Sequence, residues 1–287
     1  MPELPEVETV LRGLEPYIKG QEIADLTIGP LRLRKSPPAS FGKNLRQTRI
    51  EDMTRRGKYL VLHLSNSTSL IHHLGMSGSF RFVGTDFNDE PRKHDHLIYR
   101  FSSGDRLIYN DPRRFGMLIP TPRDMWHQAE PFRNMGFEPF DAALTPEIFH
   151  GLFKNKSIAI KLALLDQSLV CGIGNIYACE ALYLSRISPL LPAQDLSLEQ
   201  AARLLTAVRQ VLNEAIQSGG SSLRDHKQVN GELGYFQHRF AVYDRRGKPC
   251  PECTCDVSET GGIRVVSQGG RSSFFCPVFQ NITQCSR

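Results

Sequence analysis

Residues 1–16 read Met-Pro-Glu-Leu-Pro-Glu-Val-Glu-Thr-Val-Leu-Arg-Gly-Leu-Glu-Pro. After Pro5 the apolar positions are Val7, Val10, Leu11 and Leu14, the spacing that lays one stripe along a helix. A proline suits the first turn, where the amide it lacks would have no partner. The acidic residues Glu3, Glu6 and Glu8 crowd the end that the helix dipole favours for negative charge. A small residue at position 2 ordinarily allows the initiator Met to be removed, which would leave Pro2 as a secondary amine at the chain terminus. An α-amino group titrates at about 7.7–8.0, so part of it is neutral and nucleophilic near neutral pH. Such an amine attacks a sugar or carbonyl carbon to form a Schiff base. Glu3, one residue along, is placed to move a proton.

Outward from this start the pattern is strand-like. Residues 58–64, 79–83 and 96–101 alternate apolar and polar, and Ser102-Ser-Gly-Asp105 turns the last of these into 106–110 as a hairpin. Short strands at this spacing with no helical period between them predict a β-sandwich over residues 1–120. Prolines and weak periodicity mark a linker over 121–145.

From residue 146 the period becomes helical. Ile158, Leu162, Leu165 and Leu169 predict one face of a helix, and a second helix runs from Gly174 to about Arg186. A third opens on the capping-box pattern Ser197-Leu-Glu-Gln200 and ends at Gly219-Gly220. The polar, glycine-bearing stretch after it reads as a loop, closing a helical domain at about residue 240. Residues 241–287 are rich in Cys and Gly, with strand-like pieces at 263–266 and 273–275. The fold class is therefore α+β and multidomain.

The 287 residues carry 35 Lys+Arg against 30 Asp+Glu, a formal charge of +5, which hints at a polyanionic partner. No apolar run approaches the ~18 residues of a membrane span, and the N-terminus has no secretory signal pattern, so a cytoplasmic protein is expected. Seven cysteines, clustered toward the C-terminus, argue for reduced thiols or metal over a disulfide framework. Cys250-Pro-Glu-Cys253 is a knuckle, and Cys276-Pro-Val-Phe279 looks like a second one that carries Phe279 where a cysteine is expected. Four thiolates would close a structural zinc site. Cys250, Cys253 and Cys276 are in register, with Cys255 or Cys285 as candidates for a fourth ligand, and a metal-free hairpin that keeps Arg271 in place is the favoured reading.

Further motifs bear chemistry. Gly172-Ile-Gly-Asn-Ile-Tyr177 lies between two helices, where backbone amides can meet a phosphate. His73-Leu-Gly-Met-Ser-Gly78 sets Met76 at a loop tip. Asp111-Pro-Arg-Arg-Phe-Gly116 pairs guanidiniums with an aromatic, as a protein needs to pry a duplex apart and fill the gap.

Taken together, MPELPEVETV at the start, KYL at 58–60, HLGMSG at 73–78, KHDH at 93–96, DPRRFG at 111–116, LLDQ with GIGNIYA at 164–178 and QGGR at 268–271 resemble the bacterial formamidopyrimidine-DNA glycosylases. The resemblance runs in order from residue 1 to about 280. It implies an N-terminal catalytic β-sandwich with flanking helices, a helix–two-turn–helix domain over 146–240 and a zinc-finger-like β-hairpin over 241–287. It also implies a bifunctional glycosylase and AP lyase that removes 8-oxoguanine and formamidopyrimidines from damaged double-stranded DNA, working as a monomer.

By the same resemblance Pro2 is the nucleophile at C1′ and Glu3 the general acid–base. Lys58 donates a proton and contacts phosphate for β-elimination, and Arg271 assists δ-elimination. Met76, Arg113 and Phe115 fill the void left by the extruded base, with Arg113 reading the orphaned cytosine. His94, Lys156 and Asn175 contact the DNA backbone, and the loop 219–238 covers the everted lesion. Zinc at Cys250, Cys253 and Cys276 is implied, yet Phe279 and the long gap before Cys276 depart from the family pattern. The rival readings are an endonuclease VIII-like glycosylase for oxidised pyrimidines and an inactive lesion-binding protein.

Overall fold

The computed structural model of the chain describes residues 1–86, 89–221, 236–253 and 256–280. Two compact units emerge, one of residues 1–134 with 216–237 and the other of 135–215 with 238–287.

The first unit starts with α1 (Leu4–Ile18), whose Val7, Val10, Leu14 and Ile18 are buried as the stripe predicts. Antiparallel strands β1 (Glu22–Ile28), β2 (Thr48–Arg56), β3 (Tyr59–Leu64) and β4 (Thr68–His73) follow. The set is completed by β5 (Ser79–Val83), β6 (Asp95–Phe101), β7 (Arg106–Asn110) and β8 (Met117–Pro122). The hydrogen-bonded order is β5-β7-β6-β1-β2-β3-β4-β8, with the β1–β2 junction held only at Glu22↔Arg49 and Ile23↔Thr48. That narrow seam lets the strands divide into two four-stranded halves.

The halves share one core. Leu60, Leu62 and Leu70 from one and Leu97, Tyr99 and Leu107 from the other belong to the same buried cluster, together with the apolar face of α1. Across it the Tyr99 hydroxyl and His72 Nε2 lie 2.9 Å apart, a polar contact between β6 and β4 inside an otherwise apolar layer. This is the expected β-sandwich. The expected hairpin is β6–β7, in register from Leu97↔Tyr109 to Arg100↔Arg106. Residues 123–134 continue this unit, with Trp126 and Phe132 meeting edge-on at 5.5 Å and Phe132 also packed on Tyr59.

The second unit holds α2 (Pro146–Gly151), α3 (Ile160–Leu164), α4 (Asn175–Leu184) and most of α5 (Leu198–Gln217). The α5 capping box forms as read: Gln200 N–H donates to Ser197 Oγ at 3.1 Å and Ser197 N–H to Gln200 Oε1 at 2.9 Å. Arg209 of α5 donates to the carbonyls of Pro139, Asp141 and Leu144 and so ties down the chain that enters the unit. A short α6 (Val257–Thr260) precedes the antiparallel hairpin of β9 (Arg264–Gln268) and β10 (Arg271–Phe275).

The helix expected through Ile158, Leu162, Leu165 and Leu169 is cut short, because α3 spans only Ile160–Leu164. The Asp166 carboxylate accepts from the N–H and hydroxyl of Ser168 at 3.0 and 2.6 Å, which turns the chain where helical hydrogen bonds would have continued. Ile158 is accordingly 45 % exposed. Among the described residues no helix is long and apolar enough to cross a membrane. Most of the expected lesion-covering loop, residues 222–235, lies outside the described residues, as do Cys255 and Cys285.

Candidate active site

In the first unit the site forms where α1 begins. Pro2 is buried, with Met1 half-exposed before it, and Glu3 is the residue that caps α1. The Glu3 N–H donates to Glu6 Oε2 at 2.8 Å, so the helix start is closed by its own third residue. Helix α1 lies on β2 and β3. The Arg55 guanidinium fastens that contact by donating to Glu8 Oε2 at 2.9 Å and to the Gly57 carbonyl at 3.1 Å. Gly57 adopts φ +56°, and the tight turn it allows leads into Lys58, which is buried.

His73, at the end of β4, reports how these charges converge. Burial pushes its pKa down to about 4, and the positive charges of Lys58, Arg34 and the chain's amino terminus push the same way, while Asp111 opposes them. The ring is therefore neutral near pH 7, and its Nδ1 accepts the Gly75 N–H at 3.0 Å. The charges of Lys58 and the amino terminus are thus both felt at one imidazole, at the root of the loop that carries Met76.

That loop and residues 111–116 lie side by side. Met76 is 39 % and Phe115 45 % exposed, too open for core packing, and the Arg113 guanidinium stacks 5.0 Å above the Phe115 ring. His94 lies alongside, its carbonyl accepting the Asp111 N–H at 3.0 Å. Its buried Nδ1 has no hydrogen-bond partner among the described residues. Two apolar tips and a guanidinium on adjoining loops can enter a base stack and meet the exposed edge of a base.

The remaining expected residues belong to the second unit. The Lys156 ammonium is 3.9 Å from Asp166. Asn175 is the first residue of α4; its Nδ2 donates to the Ser272 carbonyl at 2.9 Å, which joins the helix start to β10, and its buried Oδ1 has no partner among the described residues. Gln167 shapes the loop before α4 by accepting the Gly172 N–H at 2.9 Å and donating to the Ile173 carbonyl at 2.9 Å. Arg271 is exposed and pairs with Gln268 across the turn made by Gly269 and Gly270, both with positive φ.

The thiols of Cys250, Cys253 and Cys276 converge, with ligand atoms all within 4.8 Å of one another and the Cys253 and Cys276 sulfurs 3.5 Å apart. Thiolates on a tetrahedral zinc stand about 3.8 Å apart, from Zn–S bonds of about 2.3 Å, so the cluster fits three corners of such a site. Burial raises the Cys276 thiol. At Cys250 burial acts upward too, but the Tyr183 hydroxyl at 3.0 Å and nearby backbone N–H groups outweigh it and lower the pKa. Phe279 supplies no fourth ligand. Its ring packs 5.0 Å from the Tyr183 ring and carries the Arg186 guanidinium 4.6 Å above it. Glu180, also buried, accepts the backbone N–H groups of Ala241, Val242 and Tyr243 at 2.8–3.0 Å and fixes the chain that leads into the cluster.

Glu6, Asp111, Tyr183 and Arg186 were not singled out from the sequence. Glu6 had a readable signal, as the third helical residue after an acidic cap. Asp111 has near partners in Arg113 and Gly116, but its Ser77 contact, like the contacts of Tyr183 and Arg186 with Phe279, joins distant segments and leaves no local signature.

Two family models match the chain: the formamidopyrimidine-DNA glycosylase N-terminal domain over residues 1–118 and the formamidopyrimidine-DNA glycosylase H2TH domain over 135–227. The formamidopyrimidine-DNA glycosylase of Methylocella silvestris is 48 % identical over 297 residues, covering 98 % of this chain and 100 % of the relative. That of Rhodospirillum rubrum is 44 % identical over 276 residues, covering 96 % and 98 %. Among solved structures, MutM (Fpg) from Thermus thermophilus superposes with TM-score 0.84 at 38 % identity, covering 97 % and 98 %. A Lactococcus lactis Fpg complex with abasic-site DNA gives 0.85 at 33 % identity, covering 97 % and 99 %.

Proposed function

The chain belongs to the formamidopyrimidine-DNA glycosylase family, and from this we propose that it excises 8-oxoguanine and formamidopyrimidines from damaged double-stranded DNA as a base-excision-repair glycosylase and AP lyase. The observation that carries the reading is that one unit holds the buried Pro2 and Lys58 together with the exposed Met76, Arg113 and Phe115 on adjoining loops, with the charges of Lys58 and the amino terminus both felt at His73.

The nucleophile arises when Met1 is removed and Pro2 becomes a secondary amine. A base inside the duplex must first be extruded, at a cost of a few kcal/mol that the wedge partly offsets by filling the gap. The Pro2 nitrogen then bonds to C1′, the glycosidic bond breaks, and the base departs with its bonding electrons and a proton. Glu3 stabilises the cationic sugar and moves protons as the ring opens to the iminium. Loss of a C2′ proton expels the 3′ phosphate, with Lys58 placed to donate a proton, and Arg271 assists loss of the 5′ phosphate. Water finally cleaves the iminium and frees Pro2. Arg113 reads the orphaned cytosine, while His94, Lys156 and Asn175 hold phosphates and set position without reading sequence.

Zinc is proposed at Cys250, Cys253 and Cys276; the convergence of the sulfurs favours it over the metal-free hairpin. When bound it would cross-link the finger and take no part in the chemistry. The four segments expected from the sequence, 1–120, 121–145, 146–240 and 241–287, remain our proposed functional division, and a cytoplasmic monomer our proposed state.

Borohydride trapping on a duplex with one 8-oxoguanine opposite cytosine tests the reading. Native protein should form a covalent adduct that Pro2→Gly loses or greatly reduces. Tight binding of that duplex with no adduct, by protein whose Met1 is shown by mass spectrometry to be absent, would overturn it.

A further inference from the structure

We infer that Asp111 is the positioning residue that couples the orphan-base reader to the gap-filling tips, so that opposite-base discrimination passes through a buried carboxylate that touches no DNA. The inference rests on the wedge reading given above.

Asp111 is 0 % exposed and follows β7 at the point where the chain turns into Pro112-Arg113-Arg114-Phe115. Its Oδ1 accepts the Ser77 hydroxyl at 2.6 Å and the Arg113 N–H at 3.2 Å. Its Oδ2 accepts the Gly116 N–H at 2.8 Å. One carboxylate therefore grips the residue after Met76, the backbone of Arg113 and the residue after Phe115. Its backbone is held as firmly: the N–H donates to the His94 carbonyl at 3.0 Å, and the carbonyl accepts from His96 Nε2 at 2.9 Å.

The same two loops are pressed together where only glycine fits. A Cβ on Gly75 would stand 2.6 Å from Gly116 N and from the Phe115 carbonyl carbon. On Gly78 or Gly116 it would stand 2.1 or 1.9 Å from the Tyr109 hydroxyl oxygen, and that hydroxyl donates to the Leu74 carbonyl at 3.0 Å. Backbone contact at this range leaves no room for one loop to slide on the other. Met76, Arg113 and Phe115 thus behave as one rigid wedge, and Asp111 is the group that fixes their mutual register.

A wedge held this way gains its full contact only when the base facing Arg113 accepts the guanidinium in the position Asp111 sets. A loosened wedge still fills the gap but loses its preference between orphaned bases. The Tyr109 hydroxyl also reaches Oδ2, at 3.4 Å, so each oxygen serves one backbone N–H and one hydroxyl. Asp111→Asn keeps the shape but replaces one oxygen by an amide nitrogen that cannot accept the backbone N–H it faces, so at least one backbone grip is broken. Ser77→Ala removes one donor from the same carboxylate and, with it, the Oγ that shares the Arg113 N–H at 3.2 Å.

The test is single-turnover excision of 8-oxoguanine placed opposite cytosine and opposite adenine, with native protein, Asp111→Asn, Ser77→Ala and the double variant. The cytosine-to-adenine rate ratio should fall about tenfold in Asp111→Asn, the scale of one lost hydrogen bond to a charged group. It should fall less in Ser77→Ala, and the double variant should be no worse than Asp111→Asn alone. Equal slowing on both duplexes with the native ratio kept, or fully additive effects of the two substitutions, would overturn the inference. Native protein that excises 8-oxoguanine in neither duplex would instead overturn the proposed function, so the two failures are distinguishable.

Discussion

Glu6 Oε1 accepts two hydrogen bonds from Ser221, one from its N–H and one from its hydroxyl, each 2.8 Å long. The other oxygen of that carboxylate holds the Glu3 N–H at 2.8 Å. One side chain in the first turn of α1 therefore ties the residue that carries the proposed acid–base group to the point where the chain enters the expected lesion-covering loop. Gly220, at φ +78°, brings the backbone against Glu6, where an added Cβ would lie 3.3 Å from the carboxylate.

Removing that carboxylate strands three buried donors. Glu6→Ala should lower stability by about 2–3 kcal/mol in urea titrations, and Ser221→Ala by about 1 kcal/mol. Excision of 8-oxoguanine by Glu6→Ala should slow by more than its cleavage of a preformed abasic site, because the latter needs no base held in place. Equal slowing of the two steps would count against the tie.

The wedge tips are exposed, so truncating them should leave the fold almost untouched. Met76→Ala and Phe115→Ala should each change unfolding free energy by less than about 0.5 kcal/mol. Each should slow excision from duplex DNA by about tenfold or more, since an extruded base then leaves an unfilled gap. Thermal melts and single-turnover rates on the same preparations check both halves of this expectation.

His73 makes stability depend on pH with a definite sign. Its pKa is about 4 in the folded protein and 6.5 in the unfolded chain. Below pH 6.5 the unfolded chain takes up a proton that the folded one refuses until about pH 4. The contribution is thus fully present above 6.5 and is lost as the pH falls toward 4, by at most about 3 kcal/mol. Chemical denaturation at pH 7.5, 6 and 5 should show the decline, and the His73 ring proton resonances should stay close to those of neutral imidazole down to about pH 5.

The finger gives a prediction in both directions. Cys276→Ser should release the metal, and Phe279→Cys, which adds a thiol at the position spaced for one, should raise zinc affinity at least about tenfold in chelator competition. The same Phe279→Cys change loses the contacts with Tyr183 and Arg186, so without metal the variant should melt below native protein. A native chain that holds no zinc at micromolar concentrations would refute the metal half.

Several features were legible in the sequence because their causes are local. The α1 stripe, the β6–β7 hairpin and the Ser197–Gln200 capping box each depend on residues no more than twelve positions apart, within reach of side-chain period, turn and cap chemistry. The interrupted helix after Leu164 was misread because the apolar spacing of Leu165 and Leu169 continued while Asp166 turned the backbone, and a short side chain's bond to its own chain outweighs periodicity there.

By itself, then, the sequence determined the element types, the family and the identities of the residues proposed to act: Pro2, Glu3, Lys58, Met76, Arg113 and Phe115. Only the tertiary structure decided how they are held. Glu6 meets Ser221 across 215 residues, Asp111 clasps Ser77 across 34, and Phe279 stacks on Tyr183 and Arg186. Such pairings follow from strand register and core packing, which sum weak contacts over whole units, so no window of the chain contains them.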